Sequence, residues 1–173
     1  LLTDVKARED QGFAYDSAEA SFELLARDHR LVMFVGDLIS GYTTEPAAYR
    51  YELEGFMQSV QPFAARVPYY EVMGNHELVM EAWSTGYMND RPGPSNTQAV
   101  FAELMTNPLN GPDAKEGEPT LSEPVYSFDF GPAHFAVVNS NYFYRSDFED
   151  ARHPRAGFGY REGWLSEVQL EWL

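Results

Sequence analysis

The fold is decided by the stretch Arg30-Leu-Val-Met-Phe-Val-Gly-Asp37, in which five apolar residues in a row lead into a glycine. A continuous β-prone run of this length predicts a strand buried on both faces, as in sheets covered by helices. A second such stretch follows, Val67-Pro-Tyr-Tyr-Glu-Val-Met-Gly-Asn-His76, and it also reaches a glycine before a polar residue. The sequence therefore predicts two buried strands with polar residues at their carboxyl ends.

The segment between the two strands has the spacing of an amphipathic helix. Residues 45–65 place apolar side chains three or four positions apart, namely Tyr49, Leu53, Phe56, Met57 and Val60. A strand, a helix and a strand in this order predict a right-handed β-α-β crossover with parallel strands. Because ligands of such sheets lie beyond the carboxyl ends of the strands, Asp37 and Asn75 are expected at the binding edge.

The rest of the chain predicts a mixed α/β domain over residues 1–173. Residues 1–29 have a helical pattern that is interrupted near Gly12, with Asp16 or Ser17 as a possible cap of the second part. We further expect a short helix from Thr97 to Met105, a hairpin with strands Val125–Phe130 and His134–Asn139 around Gly131-Pro132, and a helix from Trp164 to Leu173.

Composition excludes several classes of protein and of site. The 27 acidic and 12 basic residues give a formal net charge of -15, which repels nucleic-acid backbones and anionic lipids, so neither is expected as a general partner. There is no cysteine, which excludes disulfides and thiolate metal ligands. No apolar run reaches the roughly 18 residues of a membrane span. The compartment is not identified by these features; an extracytoplasmic or secreted location is favoured.

Side chains that bind metals follow both strands. Gly36-Asp37 offers a carboxylate, and Gly74-Asn75-His76-Glu77 offers an amide, an imidazole and a carboxylate in succession. Divalent ions need oxygen or nitrogen donors about 2.0 to 2.5 Å from one point, and aligned strand ends supply such convergence. A Gly-Asp alone indicates a turn, but the two motifs joined by one helix form a specific pattern.

At these residues the sequence resembles the calcineurin-like metallophosphoesterases, including the purple-acid-phosphatase-like members. Their motif series is Asp-x-His, Gly-Asp, Gly-Asn-His-Glu or -Asp, a lone His, and Gly-His-x-His. The resemblance runs from about Leu31 to Leu173 and includes Tyr126-Ser-Phe-Asp-Phe-Gly-Pro-Ala-His-Phe135 and Gln169-Leu-Glu-Trp-Leu173. It implies part of a four-layer α-β-β-α sandwich, with parallel β-α-β units and a C-terminal hairpin.

The resemblance also implies a role for each residue of the two motifs. Asp37 would bridge two metal ions of Fe, Mn or Zn type, and Asn75 would bind the second ion. His76 would face the substrate, where it stabilises the phosphoryl oxygens or protonates the leaving group. Glu77 would orient the His76 ring, as carboxylates commonly do for imidazoles.

The first and last motifs of the family are the points of departure. Asp4 is the one available counterpart of the first motif, but the partner position holds Lys6, a poor ligand, and the surroundings have a helical pattern. We therefore interpret Asp4 as a surface residue of a helix and leave it out of the site. The last two motifs follow the Gln-x-x-Trp-Leu helix in this family, so the remaining ligands are expected outside this chain, which makes it an incomplete domain.

The other polar residues carry weaker signals. His29 is expected at a helix end, either as a cation or as a capping residue. His134 is expected to be a structural residue of a strand with core neighbours, and His153 stands in the wrong order for a ligand. Two interpretations stay open for Asn139, Asn141 and Tyr142-Phe-Tyr144, which would either line a substrate pocket or pack in the core.

The function implied is metal-assisted hydrolysis of a small-molecule phosphate ester, either a monoester or a diester. Two ions about 3.5 to 4 Å apart would activate water for in-line attack and supply local positive charge in an acidic protein. The alternative is a non-catalytic binding domain that has kept the fold with a degenerate site. The intact Gly-Asp and Gly-Asn-His-Glu favour the enzyme, because decayed sites usually lose a ligand or the catalytic histidine. No feature of the sequence indicates an oligomeric state.

Overall fold

The computed structural model describes residues 29–41, 43, 45–78, 97–116, 120–140 and 165–173, together with the backbone of residues 2–3. In chain order the elements are β1 (Leu2–Thr3), β2 (Val32–Val35), α1 (Pro46–Ala64), β3 (Tyr69–Val72), α2 (Thr97–Leu104), β4 (Tyr126–Phe130), β5 (Ala133–Val137) and α3 (Glu167–Trp172). These elements confirm the prediction of a mixed α/β fold.

Strands β1, β2 and β3 form a parallel sheet in that order. Val32 pairs with Tyr69 and Val35 pairs with Val72, so β2 and β3 end at the same level. The predicted crossover through α1 is therefore confirmed in its parallel pairing. Its consequence for the site is that the residues after Val35 and after Val72 leave the sheet side by side.

Helix α1 covers one face of this sheet with the side chains that the sequence predicted. Tyr49, Leu53, Phe56 and Val60 are all buried. The Phe56 ring meets Phe34 of β2 edge to face, with 5.3 Å between ring centroids. Pro46 is the first helical residue, a position where proline lacks no hydrogen bond because the N–H there has no partner within the helix.

The burial of β2 is one-sided, which differs from the sequence prediction. Val32 and Phe34 are fully buried toward α1, but Val35 on the opposite face is 48% exposed. A strand alternates its side chains between two faces, and an unbroken apolar run does not tell which face its neighbours cover. Among the described residues, therefore, only the face of β2 that packs against α1 is covered.

The N-terminal residues correct a second prediction. Leu2 and Thr3 form strand β1, paired in parallel with Met33 and Phe34, so the helical interpretation of these two residues is wrong. Long-range pairing with β2 overrides local helix propensity here. Residues 4–28, with Asp4 and the predicted caps, lie outside the described residues. The strand nevertheless removes one reason for excluding Asp4, since Asp4 directly follows the carboxyl end of β1 in sequence.

The predicted hairpin is confirmed. Strands β4 and β5 are antiparallel, and Phe130 pairs with Ala133 across the two-residue turn Gly131-Pro132. Gly131 has a φ of 61°, the left-handed conformation that the first position of a type II′ hairpin turn requires. The ring of Phe128 on β4 stacks on Tyr70 of β3, with 3.7 Å between centroids, which joins the hairpin to the parallel sheet.

The two shorter helices lie close to their predicted positions. Helix α2 spans Thr97–Leu104, within one residue of the expectation. Helix α3 begins at Glu167, three residues after the predicted start, because the Ser166 hydroxyl caps it by accepting the N–H of Gln169 over 3.3 Å. The Gln169 side chain in turn accepts the N–H of Asn139 over 2.8 Å, which fixes α3 to the end of β5.

Candidate metal and catalytic centre

The two glycines at the strand ends bring the backbones of β2 and β3 into contact. A Cβ atom on Gly36 would lie 2.6 Å from the Cα of Gly74, and one on Gly74 would lie 2.4 Å from the N atom of Asp37. Neither position therefore accepts a side chain. Gly36 also has a φ of 78°, which turns the chain sharply as it leaves the sheet. This close approach explains why each motif begins with glycine.

Asp37 occupies a strained backbone conformation in the middle of the site. Its φ of 54° lies in the left-handed region, which few residues other than glycine adopt. Such strain persists where surrounding contacts hold it, and it is frequent at functional sites. The Oδ1 atom of Asp37 accepts the backbone N–H of His76 over 3.2 Å, and the side chain stays 20% exposed. The carboxylate thus reaches the surface of the site while its backbone is locked.

The contacts that lock this turn come from Glu77, which is fully buried. Its Oε2 atom accepts the N–H groups of Asp37 and Gly74 over 2.9 and 2.7 Å. Its Oε1 atom accepts those of Leu38 and Ile39 over 2.6 and 3.2 Å. Successive N–H groups that converge in this way form a concave anion site, and here the anion is a side chain of the protein itself.

Two opposing effects act on the acidity of Glu77. Burial raises the pKa of its carboxyl to about 7, while the N–H groups of Gly74 and Ile39 that bind it act in the opposite direction. The negative charge of Asp37 adds to the rise. Tyr49 of α1 closes the contact from behind, since its hydroxyl donates to the Glu77 carbonyl oxygen over 2.9 Å.

The role that the sequence assigned to Glu77 differs from these contacts. Glu77 was expected to orient the His76 ring, but both of its oxygen atoms bind the backbone of the strand ends. The carbonyl oxygen of Ser40 lies 2.7 Å from Nδ1 of His76 and holds the ring instead. Glu77 therefore acts on Asp37 directly, because it fixes the turn that carries this residue.

The Ser40 contact determines which nitrogen of His76 carries the proton. A carbonyl oxygen only accepts hydrogen bonds, so Nδ1 carries a proton in this contact and Nε2 is the ring nitrogen that faces Asp37. The Nε2 atom lies 3.8 Å from Oδ2 of Asp37, and the His76 side chain is 15% exposed. The ring thus presents Nε2 to the carboxylate.

Asn75 lies between residues that are both tied to this centre. Its neighbour Gly74 binds Glu77, and its neighbour His76 binds Asp37 through the backbone. Its own carbonyl oxygen accepts the N–H of Leu78 over 3.1 Å and closes a turn. The structure therefore brings Asp37, Asn75, His76 and Glu77 to one pair of strand ends, as the sequence predicted for their placement.

The other polar residues divide into buried and exposed ones. Asn139 is buried, and its Nδ2 atom lies 3.8 Å from the sulfur of Met73, just before the Gly74 motif. His134 is exposed, and its Nδ1 atom lies 2.8 Å from Oδ1 of Asp129. The prediction of core neighbours for His134 is therefore wrong. His29 is half-buried at the start of the described segment. Asn141, Tyr142-Phe-Tyr144 and His153 lie outside the described residues.

Three residues that contact the site were not predicted, namely Ser40, Gly41 and Glu52. Glu52 is only 8% exposed and lies on the apolar face of α1 between Tyr49 and Leu53. A charged residue on the buried stripe of a helix is the signal that sequence reasoning passed over. Ser40 acts through its backbone, which no residue-type pattern reveals.

The described donors fit part of a metal site. Carboxylate and amide oxygens such as those of Asp37 and Asn75 suit divalent ions without thiolate ligands. Across the described ranges, no group of three or more His, Cys, Asp or Glu side chains converges as a complete site would. Among the helices described, none combines the length and the apolar character that a membrane crossing requires.

The chain was compared with protein families, curated proteins and solved structures. A family model described as calcineurin-like phosphoesterase matches residues 2–170, which is nearly the whole chain. No curated protein and no solved structure matches the chain.

Proposed function

This chain belongs to the calcineurin-like phosphoesterase family, and on that premise we propose that it hydrolyses small-molecule phosphate esters at a binuclear metal centre. Asp37 would hold both ions, and Asn75 would hold the second. We place the chain in the four-layer sandwich of the purple-acid-phosphatase-like members. The remaining ligands would come from residues outside the described ranges. Asp4 becomes a candidate, because it follows β1 in sequence.

The observation that carries this proposal is the arrangement of His76 against Asp37. The Nε2 atom of His76 lies 3.8 Å from Oδ2 of Asp37 while Nδ1 is tied to Ser40. A ring fixed at one nitrogen, with the other facing the carboxylate that would hold the metal ions, is suited to transfer a proton to a leaving group.

The metal ions of such a binuclear centre would polarise the phosphoryl group and make water a stronger acid. The protein residues contribute the rest of the chemistry. Asp37 would provide the negative charge that retains the ions, and Glu77 holds its backbone in the strained turn. In its doubly protonated form, with the Nδ1 proton donated to Ser40, His76 would give its Nε2 proton to the oxygen of the departing alcohol and stabilise the negative charge that forms there.

The test is hydrolysis measured with and without metal. The full-length protein, which would supply the ligands expected outside this chain, should not hydrolyse an aryl phosphate monoester or diester once a chelator has removed its metal. Addition of Mn²⁺, Zn²⁺ or Fe²⁺ should restore turnover, and the preference between the two esters defines the substrate class. Metal binding with no turnover of either ester would contradict the hydrolase and support a non-catalytic binding domain.

A further inference from the structure

Helix α1 places a buried carboxylate behind the loop that holds the His76 ring. Tyr49 and Glu52 lie one helical turn apart on the face that packs against the site. Tyr49 donates to the backbone of Glu77, and Oε2 of Glu52 accepts the N–H of Gly41 over 2.9 Å. The same helix face therefore supports both the strand ends and the loop that follows them.

The contacts to Glu52 and to His76 belong to the same peptide group. The carbonyl of Ser40 accepts from Nδ1 of His76, and the N–H of Gly41 donates to Glu52. These two groups share one planar, trans peptide unit, so they point in opposite directions and rotate together. A contact that fixes the N–H on one side therefore also fixes the direction of the carbonyl on the other.

Gly41 lets this peptide lie directly against His76. Its φ is 58°, and a Cβ atom at this position would lie 1.9 Å from the carbonyl oxygen of His76. The loop thus touches the backbone of His76 as well as its ring. Because the ring contact is made by the backbone, no change of the Ser40 side chain alters it directly.

We infer that Glu52 is a positioning residue which acts on His76 through the Ser40–Gly41 peptide, holding the ring with its proton on Nδ1 and with Nε2 turned to Asp37. This inference rests on the proposed role of His76 in hydrolysis. Without an acceptor on Glu52, the peptide is free to rotate, and the carbonyl then turns away from Nδ1. The ring loses both its orientation and its preferred tautomer, although no atom of the reaction contacts Glu52.

The experiment compares Glu52→Ala and Glu52→Gln in the full chain. Glu54→Ala is the matched control, because Glu54 is exposed on the same helix. Nitrogen-15 NMR of labelled histidine reports the tautomer of neutral His76, and a His76→Asn variant assigns its signals among the four histidines. The kcat for an alkyl phosphate, metal content and thermal unfolding are measured on the same samples.

We expect Glu52→Ala to lose the preference for the Nδ1–H tautomer and to lower kcat for the alkyl phosphate by roughly ten- to hundredfold, the range for a displaced catalytic group. Metal content should stay at the wild-type level. Glu52→Gln should recover most of the loss, since its amide oxygen accepts the Gly41 N–H. Glu54→Ala should match the wild type in every measurement.

Two results would overturn the inference. One is neutral His76 in the wild type with its proton on Nε2, a measurement that needs no Glu52 variant to fold. The other is a Glu52→Ala protein with wild-type tautomer and kcat. If Glu52→Ala does not fold, the test rests on the wild type. There the inference requires the Nδ1–H tautomer of His76 and slow hydrogen exchange at the Gly41 amide. A wild type that holds the Nδ1–H tautomer but hydrolyses no ester would refute the hydrolase and leave the positioning by Glu52 intact.

Discussion

The backbone N–H of His76 donates to Oδ1 of Asp37 over 3.2 Å, and Nε2 of the same histidine lies 3.8 Å from Oδ2 of the same carboxylate. The two residues are 39 positions apart in the chain, on the ends of neighbouring parallel strands. One carboxylate therefore contacts both the backbone and the ring region of the histidine. Mutation can separate their roles, because Asp37 would contribute negative charge to metal binding and His76 would donate a proton.

Asp37→Asn should lower both metal content and turnover. The amide keeps the shape of the side chain but removes the negative charge that would retain two cations. Metal per protein is measured by elemental analysis after gel filtration, together with kcat. Asp129→Asn on the exposed face of the hairpin is the control and should change neither. Full metal content in Asp37→Asn would contradict the assignment of Asp37 as the bridging ligand.

His76→Ala should leave metal content nearly unchanged and lower kcat by roughly 10² to 10⁴, the usual contribution of a positioned proton donor. The loss should be large for an alkyl phosphate and smaller for an aryl ester with an acidic phenol, whose leaving group needs no proton. His134→Ala, at an exposed histidine, is the control. Equal losses for both esters would argue against His76 as the general acid.

Glu77→Gln should destabilise the protein although the two side chains have almost the same shape. Each oxygen of Glu77 accepts two N–H groups, so the amide nitrogen faces two donors in either orientation. Buried donors without acceptors cost about 1 to 3 kcal/mol each, which predicts a loss of roughly 2 to 6 kcal/mol. Urea unfolding measures it, and Glu171→Gln at an exposed position should leave the midpoint unchanged.

Glu71 predicts a pH dependence of stability. Burial raises the pKa of this carboxyl from its ordinary value of 4.5 to about 8, so between these two pH values the folded state keeps a proton that the unfolded state has released. Stability therefore falls as pH rises through that window, by about 1.4 kcal/mol per pH unit for one group. Above pH 8 the fall from this group ends.

The measurement for Glu71 is the free energy of unfolding at pH 5, 7 and 9 in the wild type and in Glu71→Gln. Glu77, whose pKa is also raised, contributes the same slope to both proteins, so the difference isolates Glu71. The Gln variant should show the flatter curve, and its advantage should grow with pH. Parallel curves would mean that Glu71 is ionised in the folded protein over the whole range.

Local sequence patterns predicted the elements that depend on residues near one another in the chain. Helix α1 has its buried side chains at the helical spacing that the sequence shows, and Gly131-Pro132 is a turn by its own backbone preferences. The prediction failed where distant partners decide. Leu2–Thr3 became a strand by pairing with β2, and His134 is exposed because one face of its hairpin is uncovered by the described residues.

The sequence by itself determined the parallel crossover and the residues that stand at its strand ends, because an apolar run and a glycine impose their conformation within a few residues. Only the tertiary structure decided what those residues contact. Glu77 accepts hydrogen bonds from the backbone of residues 37–39. The Ser40 carbonyl, whose peptide unit also binds Glu52, accepts a hydrogen bond from the His76 ring. These hydrogen bonds join segments up to 40 positions apart through backbone atoms that every residue type shares. A pattern of side chains cannot encode them, and packing of α1 against the sheet is what brings them within reach.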